Sequence, residues 1–133
     1  MFRLFAIIAT IGALVVAAMQ LSAESKTAGW QTYDEAEFVM AQGKGKTIVV
    51  DIYADWCPTC RAQAPILEEL RTERQSGDVL FVKVNFDDEK KFLQQHRVPR
   101  QSTVLVFDGK KEVARSIAQT NRQELRSVVL GAL

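Results

Sequence analysis

Hydrophobic and polar positions divide the chain into segments of two different periods. Thr47-Ile48-Val49-Val50-Asp51-Ile52-Tyr53 is a β-branched run, apolar on both faces, which predicts a central strand with Asp51 as its one exception. Val79 to Phe86 predicts a second buried strand and Thr103 to Phe107 a third. Glu112 to Ile117 then returns as a strand from the Asp108-Gly109 hairpin turn. Helical spacing takes over between these runs. Thr32-Tyr33-Asp34-Glu35 has the form of a capping box and opens a short amphipathic helix through Ala41, with Phe38 and Val39 facing inward. From Pro58 to Arg74, the residues Ala62, Pro65, Ile66 and Leu70 predict the buried stripe of a longer helix. Glu68, Glu69, Arg71, Glu73 and Arg74 lie opposite, and Pro65 is expected to kink it. Asp87 to His96 predicts a charged helix packed through Phe92 and Leu93. Asn121-x-x-Glu124 caps a final helix carrying Leu125, Val128, Val129 and Leu130. The alternation predicts a single α/β domain, a central mixed sheet flanked by helices.

The first segment breaks from this pattern. Arg3 is followed by Leu4 to Leu21 without a charge, then by Ser22 and Ala23 before Glu24. A positive start, an apolar middle and small residues at the end predict a signal peptide over residues 1–23, cleaved after Ala23, and a domain over residues 24–133. An uncleaved membrane anchor is the alternative, because the run approaches the roughly 20 residues that cross a bilayer. Either reading places the domain outside the cytoplasm, in the periplasm. The composition, 133 residues with 47% hydrophobic and 25% charged, fits one core. Removing residues 1–23 takes away Arg3 and no acid, which leaves 16 basic residues (17 minus 1) against 16 acidic ones. No basic tract points to nucleic acid. The sole histidine, His96, is expected to be a solvated residue at the end of its helix.

Export gives weight to the two cysteines, because disulfides persist in that compartment. Cys57-Pro58-Thr59-Cys60 falls between the end of the central strand and the start of the long helix. Unpaired amides and the helix dipole favour negative charge at a helix N-terminus, so Cys57 is expected to be thiolate-rich and nucleophilic. Cys60, one turn on, shares its face and can resolve the mixed disulfide that Cys57 makes with a substrate. Pro58 suits the first helical turn, where its missing amide hydrogen costs little. Thr59 adds a small polar group. Two cysteines alone do not complete a zinc site, and a disulfide that only staples so short a loop would remove little unfolded-chain entropy.

Trp56-Cys57-x-x-Cys60 after a strand, Asp51 six residues before the nucleophile and Pro65 eight residues after it resemble the thioredoxin superfamily, across roughly residues 30–133. The resemblance implies a thioredoxin-like fold and a thiol–disulfide oxidoreductase that needs no cofactor beyond its redox-active disulfide. It also implies that Asp51 moves the proton of the resolving thiol, with Lys83 on the adjacent strand supporting it. A lone buried carboxylate has a raised pKa that a nearby ammonium offsets in part. Trp56, Gln101, Ile117 and Ala118 would surround the cysteines as a shallow docking surface for an extended peptide, together with Pro58, Thr59 and Ser102.

One departure stands out. The family places a cis-proline before the third strand, where this chain reads Arg100-Gln101-Ser102-Thr103. Ser102 is expected there in a trans peptide, since a non-proline cis bond costs about 2.5–4 kcal/mol, with its hydroxyl near the sulfurs. Substrate docking and dithiol potential would both change. The leading function is reduction of disulfides in exported proteins by a monomer recharged by a membrane electron-transfer partner, and a role in cytochrome c maturation is similar in motif. The alternative is a thioredoxin-fold module that binds a metal, an iron–sulfur cluster or an unfolded client without turnover.

Overall fold

A computed structural model describes residues 29–74 and 79–133. The expected signal peptide lies outside the described residues. Among the described residues nine elements follow one another: β1 (Gln31–Thr32), α1 (Glu35–Gly43), β2 (Thr47–Tyr53), α2 (Pro58–Glu73), β3 (Val79–Asn85), α3 (Lys90–Gln95), β4 (Thr103–Asp108), β5 (Lys111–Ile117) and α4 (Arg122–Leu130). They build a five-stranded mixed sheet in the order β1-β3-β2-β4-β5. β3 runs parallel to both β1 and β2, whereas β4 runs antiparallel to both β2 and β5. The β4–β5 hairpin turns through Gly109, whose φ of 56° is a conformation that L side chains rarely adopt.

The alternation along β2 explains how this strand serves two cores. Ile48, Val50 and Ile52 point to one face, where Phe38 and Ala41 of α1 and Phe92 and Leu93 of α3 cover them. Val49 points to the other face, with Ile66, Leu67 and Leu70 of α2 and Leu125 and Val129 of α4. Asp51 shares the face of Val49, under α2. At about 25 cal/mol per Å² of apolar surface, burial on both faces holds the central strand β2 firmly and makes it a rigid base for the loop that follows it.

Several local expectations are corrected. The two-residue β1 was not anticipated, and Thr32 belongs to it. The cap of α1 is Asp34, whose carboxylate accepts the Glu37 amide at 2.9 Å. Val39 is 54% exposed, and Ala41 takes the inward place beside Phe38. In α2, Ala62 and Pro65 face solvent; the buried stripe is Cys60, Gln63, Ile66, Leu67 and Leu70, and the helix continues through Pro65. His96 is half-buried rather than solvated, with its ring 4.3 Å from that of Phe92 and 5.3 Å from that of Phe107. Burial, with Arg115 nearby and against Glu112, holds its pKa below the ordinary histidine value.

Candidate active site

β2 ends at Tyr53 and the chain turns through Ala54, Asp55 and Trp56 into α2. Cys57 is the N-cap of α2, with extended backbone angles, and its sulfur accepts the Cys60 amide at 3.1 Å. Pro58 follows in the first turn, as its missing donor allows. A sulfur in the cap position receives one of the helix's orphan amides directly and lies at the positive end of its dipole.

Ser102 meets both sulfurs. Its Oγ lies 3.2 Å from Cys57 Sγ and 3.1 Å from Cys60 Sγ, and the residue is fully buried. Its peptide is trans and its φ is +62°, a left-handed backbone that a side chain disfavours. Three hydrogen bonds hold it there. The Ser102 amide donates to the Ile52 carbonyl at 2.8 Å, and its carbonyl accepts the Ala118 amide at 2.8 Å and Gln63 Nε2 at 3.2 Å. Gln63 Nε2 also donates to the Gln119 carbonyl at 2.8 Å, so this buried amide ties α2 to the loops on both sides of the β4–β5 hairpin. Gln63 was missed in the sequence, although it sits three residues from both Cys60 and Ile66 on the buried stripe.

The two thiols are driven apart. Burial raises Cys57, but donors around its sulfur (Cys60, Ser102, the Cys60 amide and Gln101) outweigh that and bring its pKa below the ordinary thiol value. Burial and the neighbouring Cys57 push Cys60 up, against hydrogen bonds from Ser102 and the Ala54 backbone. Such a pair presents one nucleophile and one protonated thiol in reserve.

Asp51 is the acid beneath them. It is 4% exposed, and burial raises its carboxyl to about 6, with the Lys83 charge lowering it in part. Asp51 and Lys83 are register partners across β2 and β3. The Lys83 ammonium also stands 5.1 Å from the Tyr53 ring and 5.4 Å from that of Trp30. Asp51, Cys60, Arg61 and Lys83 help line a crevice of ≈ 150 Å³, space for a bridging water between carboxyl and thiol.

The remaining predicted residues divide by exposure. Trp56 is 57% exposed and Ile117 47%, and Pro58 is exposed beside them, while Thr59, Gln101 and Ala118 are half-buried. Trp56 is not loose: its Nε1 donates to Asp87 Oδ2 at 2.8 Å, a partner the sequence did not signal. Ser102 sits underneath this surface, against the sulfurs. Among the described residues no three His, Cys, Asp or Glu side chains gather as a metal site.

Comparison with known proteins gives this geometry its context. The Thioredoxin family pattern matches residues 30–130. The chain belongs to the thioredoxin family. It is 34% identical over 82 residues to thioredoxin-1 of Saccharomyces cerevisiae, covering 62% of this chain and 78% of that one. A thioredoxin-like protein of Fusarium culmorum is 44% identical over 68 residues, 50% of this chain and 56% of that protein. Among solved structures, Trxlp from Edwardsiella tarda superposes with a TM-score of 0.69 at 41% identity, covering 73% of this chain and 94% of that one. The expected fold is therefore present, and membership in the thioredoxin family makes the chain a thiol–disulfide oxidoreductase acting through its cysteine pair.

Proposed function

We propose that this thioredoxin-family protein works in the periplasm, reducing disulfides of exported proteins. The observation that carries the reading is the dithiol at the start of α2, where the Cys57 sulfur accepts the Cys60 amide at 3.1 Å and Cys60 lines a crevice together with the buried Asp51 carboxyl. The Cys57 thiolate attacks a substrate disulfide. One S–S bond forms as the substrate's breaks, and the departing sulfur leaves with the electron pair and takes up a proton. Asp51, ionised above about pH 6, accepts the Cys60 proton through the crevice. Cys60 then attacks the Cys57 sulfur, the second substrate thiol is released, and the enzyme ends as a disulfide, two electrons poorer. Recharging calls for a dithiol donor, which in the periplasm means a membrane carrier of electrons. Trp56, Pro58 and Ile117 offer an apolar rim for an extended peptide, with Gln101 and Ala118 at its edge.

The uncharged run from Leu4 to Leu21 behind Arg3 supports export. The test is insulin reduction by the purified protein and by Cys57→Ser, together with the N-terminal mass of the protein recovered from the periplasm of an expressing cell. Turnover lost in the variant, with a chain beginning at Glu24, supports the reading. Undiminished turnover in Cys57→Ser refutes it, and protein retained in the cytoplasm refutes the location.

A further inference from the structure

Ser102 places its hydroxyl within reach of both reacting atoms, at nearly equal distances of 3.2 and 3.1 Å. A serine hydroxyl has one proton and two lone pairs, so it can donate to one sulfur while accepting from the other. It is fully buried, and its backbone is fixed by bonds to Ile52, Ala118 and Gln63, so little freedom remains except rotation of the hydroxyl.

We propose that Ser102 is a catalytic residue of the exchange reaction, a donor that follows the negative charge from Cys57 to Cys60. The inference rests on the oxidoreductase reading above and assigns a role within it. In the reduced enzyme the hydroxyl donates to the Cys57 thiolate and accepts from the Cys60 thiol. Once Cys57 enters the mixed disulfide its charge is gone. Cys60 must then become the thiolate, and the same hydroxyl rotates to donate to it. The proton itself leaves Cys60 on the other side, toward Asp51, and Ser102 neither gains nor loses one. Because a thiolate is a far better acceptor than a disulfide sulfur, the bond stabilises the reduced form over the oxidised one. The protein is thereby less reducing than the same fold without the hydroxyl.

The test compares the wild type with Ser102→Ala and Ser102→Gly, the latter also relieving the left-handed backbone, each shown to be folded by its thermal transition. Two readouts are followed: the pH profile of Cys57 alkylation and the equilibrium with glutathione. Loss of the hydroxyl is expected to move the alkylation midpoint up by about one pH unit. It should also shift the exchange equilibrium about tenfold toward the disulfide, close to 30 mV for two electrons. A merely structural serine would move the thermal transition and neither readout. Unchanged alkylation and equilibrium in whichever variant folds overturns the proposal while leaving the oxidoreductase reading intact. A wild type that never equilibrates with glutathione overturns that reading, and the proposal with it.

Discussion

The buried acid allows a prediction whose size follows from the structure. Asp51 lies in the central strand of the sheet, and burial lifts its carboxyl from 3.8 to about 6 despite Lys83 opposite. The fold therefore favours the protonated form. That contribution is fully present below about pH 3.8 and is lost as the pH rises through about 6. At 1.36 kcal/mol per pH unit, the wild type should lose about 3 kcal/mol of stability from this group between pH 3.5 and pH 7.5. Asp51→Asn cannot titrate. Its own packing offset, whichever sign it has, is the same at both pH values, so the informative quantity is the change in the difference between variant and wild type. Urea unfolding at pH 3.5 and pH 7.5 should show the variant gaining about 3 kcal/mol on the wild type across that interval. A difference that stays constant would refute the idea that Asp51 is held protonated by burial. The same residue should set the pH dependence of turnover: in single-turnover release of the second substrate thiol, the wild-type rate should rise through about pH 6 and that of the variant should not.

Three further outcomes follow. Cys60→Ser removes the resolving thiol, so the protein should accumulate as a mixed disulfide with a model substrate, visible by mass spectrometry as a covalent adduct that dithiothreitol releases. Gln63→Leu leaves the Gln119 carbonyl without its donor and removes one of two donors from the Ser102 carbonyl; thermal unfolding should show a loss of about 1–3 kcal/mol. Trp56→Ala combined with Ile117→Ala strips the apolar rim and should raise KM for a protein substrate several-fold, with the equilibrium against glutathione, a small thiol, unchanged.

How far the sequence foretold this arrangement can be judged residue by residue. The β-branched run around Asp51 and the dithiol at a strand-to-helix junction were legible because burial on both faces and a helix start each leave a residue pattern. β1 was not, since two residues at a sheet edge carry no period. The stripe on α2 was misjudged because a polar residue, Gln63, belongs to it: the helix turns the amide inward, where it donates to two backbone carbonyls, and leaves Ala62 and Pro65 outside. His96 misled in the same way. Three phenylalanines, Phe38, Phe92 and Phe107, surround a ring that charge-based reasoning assigned to solvent. The place of Ser102 near the sulfurs was implied by the resemblance to the thioredoxin superfamily, and its trans peptide by the cost of a non-proline cis bond. Its left-handed backbone and its equal reach to both cysteines were not, because they depend on bonds to Ile52, Ala118 and Gln63 from three other parts of the chain.

The central claim, that Cys57 and Cys60 form a reducing dithiol, is tested most directly by their reduction potential. The protein is purified without chelator and equilibrated against graded glutathione or dithiothreitol buffers, and the two states are counted after thiol trapping. The account predicts a two-electron transition lying nearer the roughly −270 mV of thioredoxin than the roughly −120 mV of a strong periplasmic oxidant. A value near −120 mV would contradict the proposed direction, and a pair that does not equilibrate and carries bound metal would contradict the exchange reaction itself.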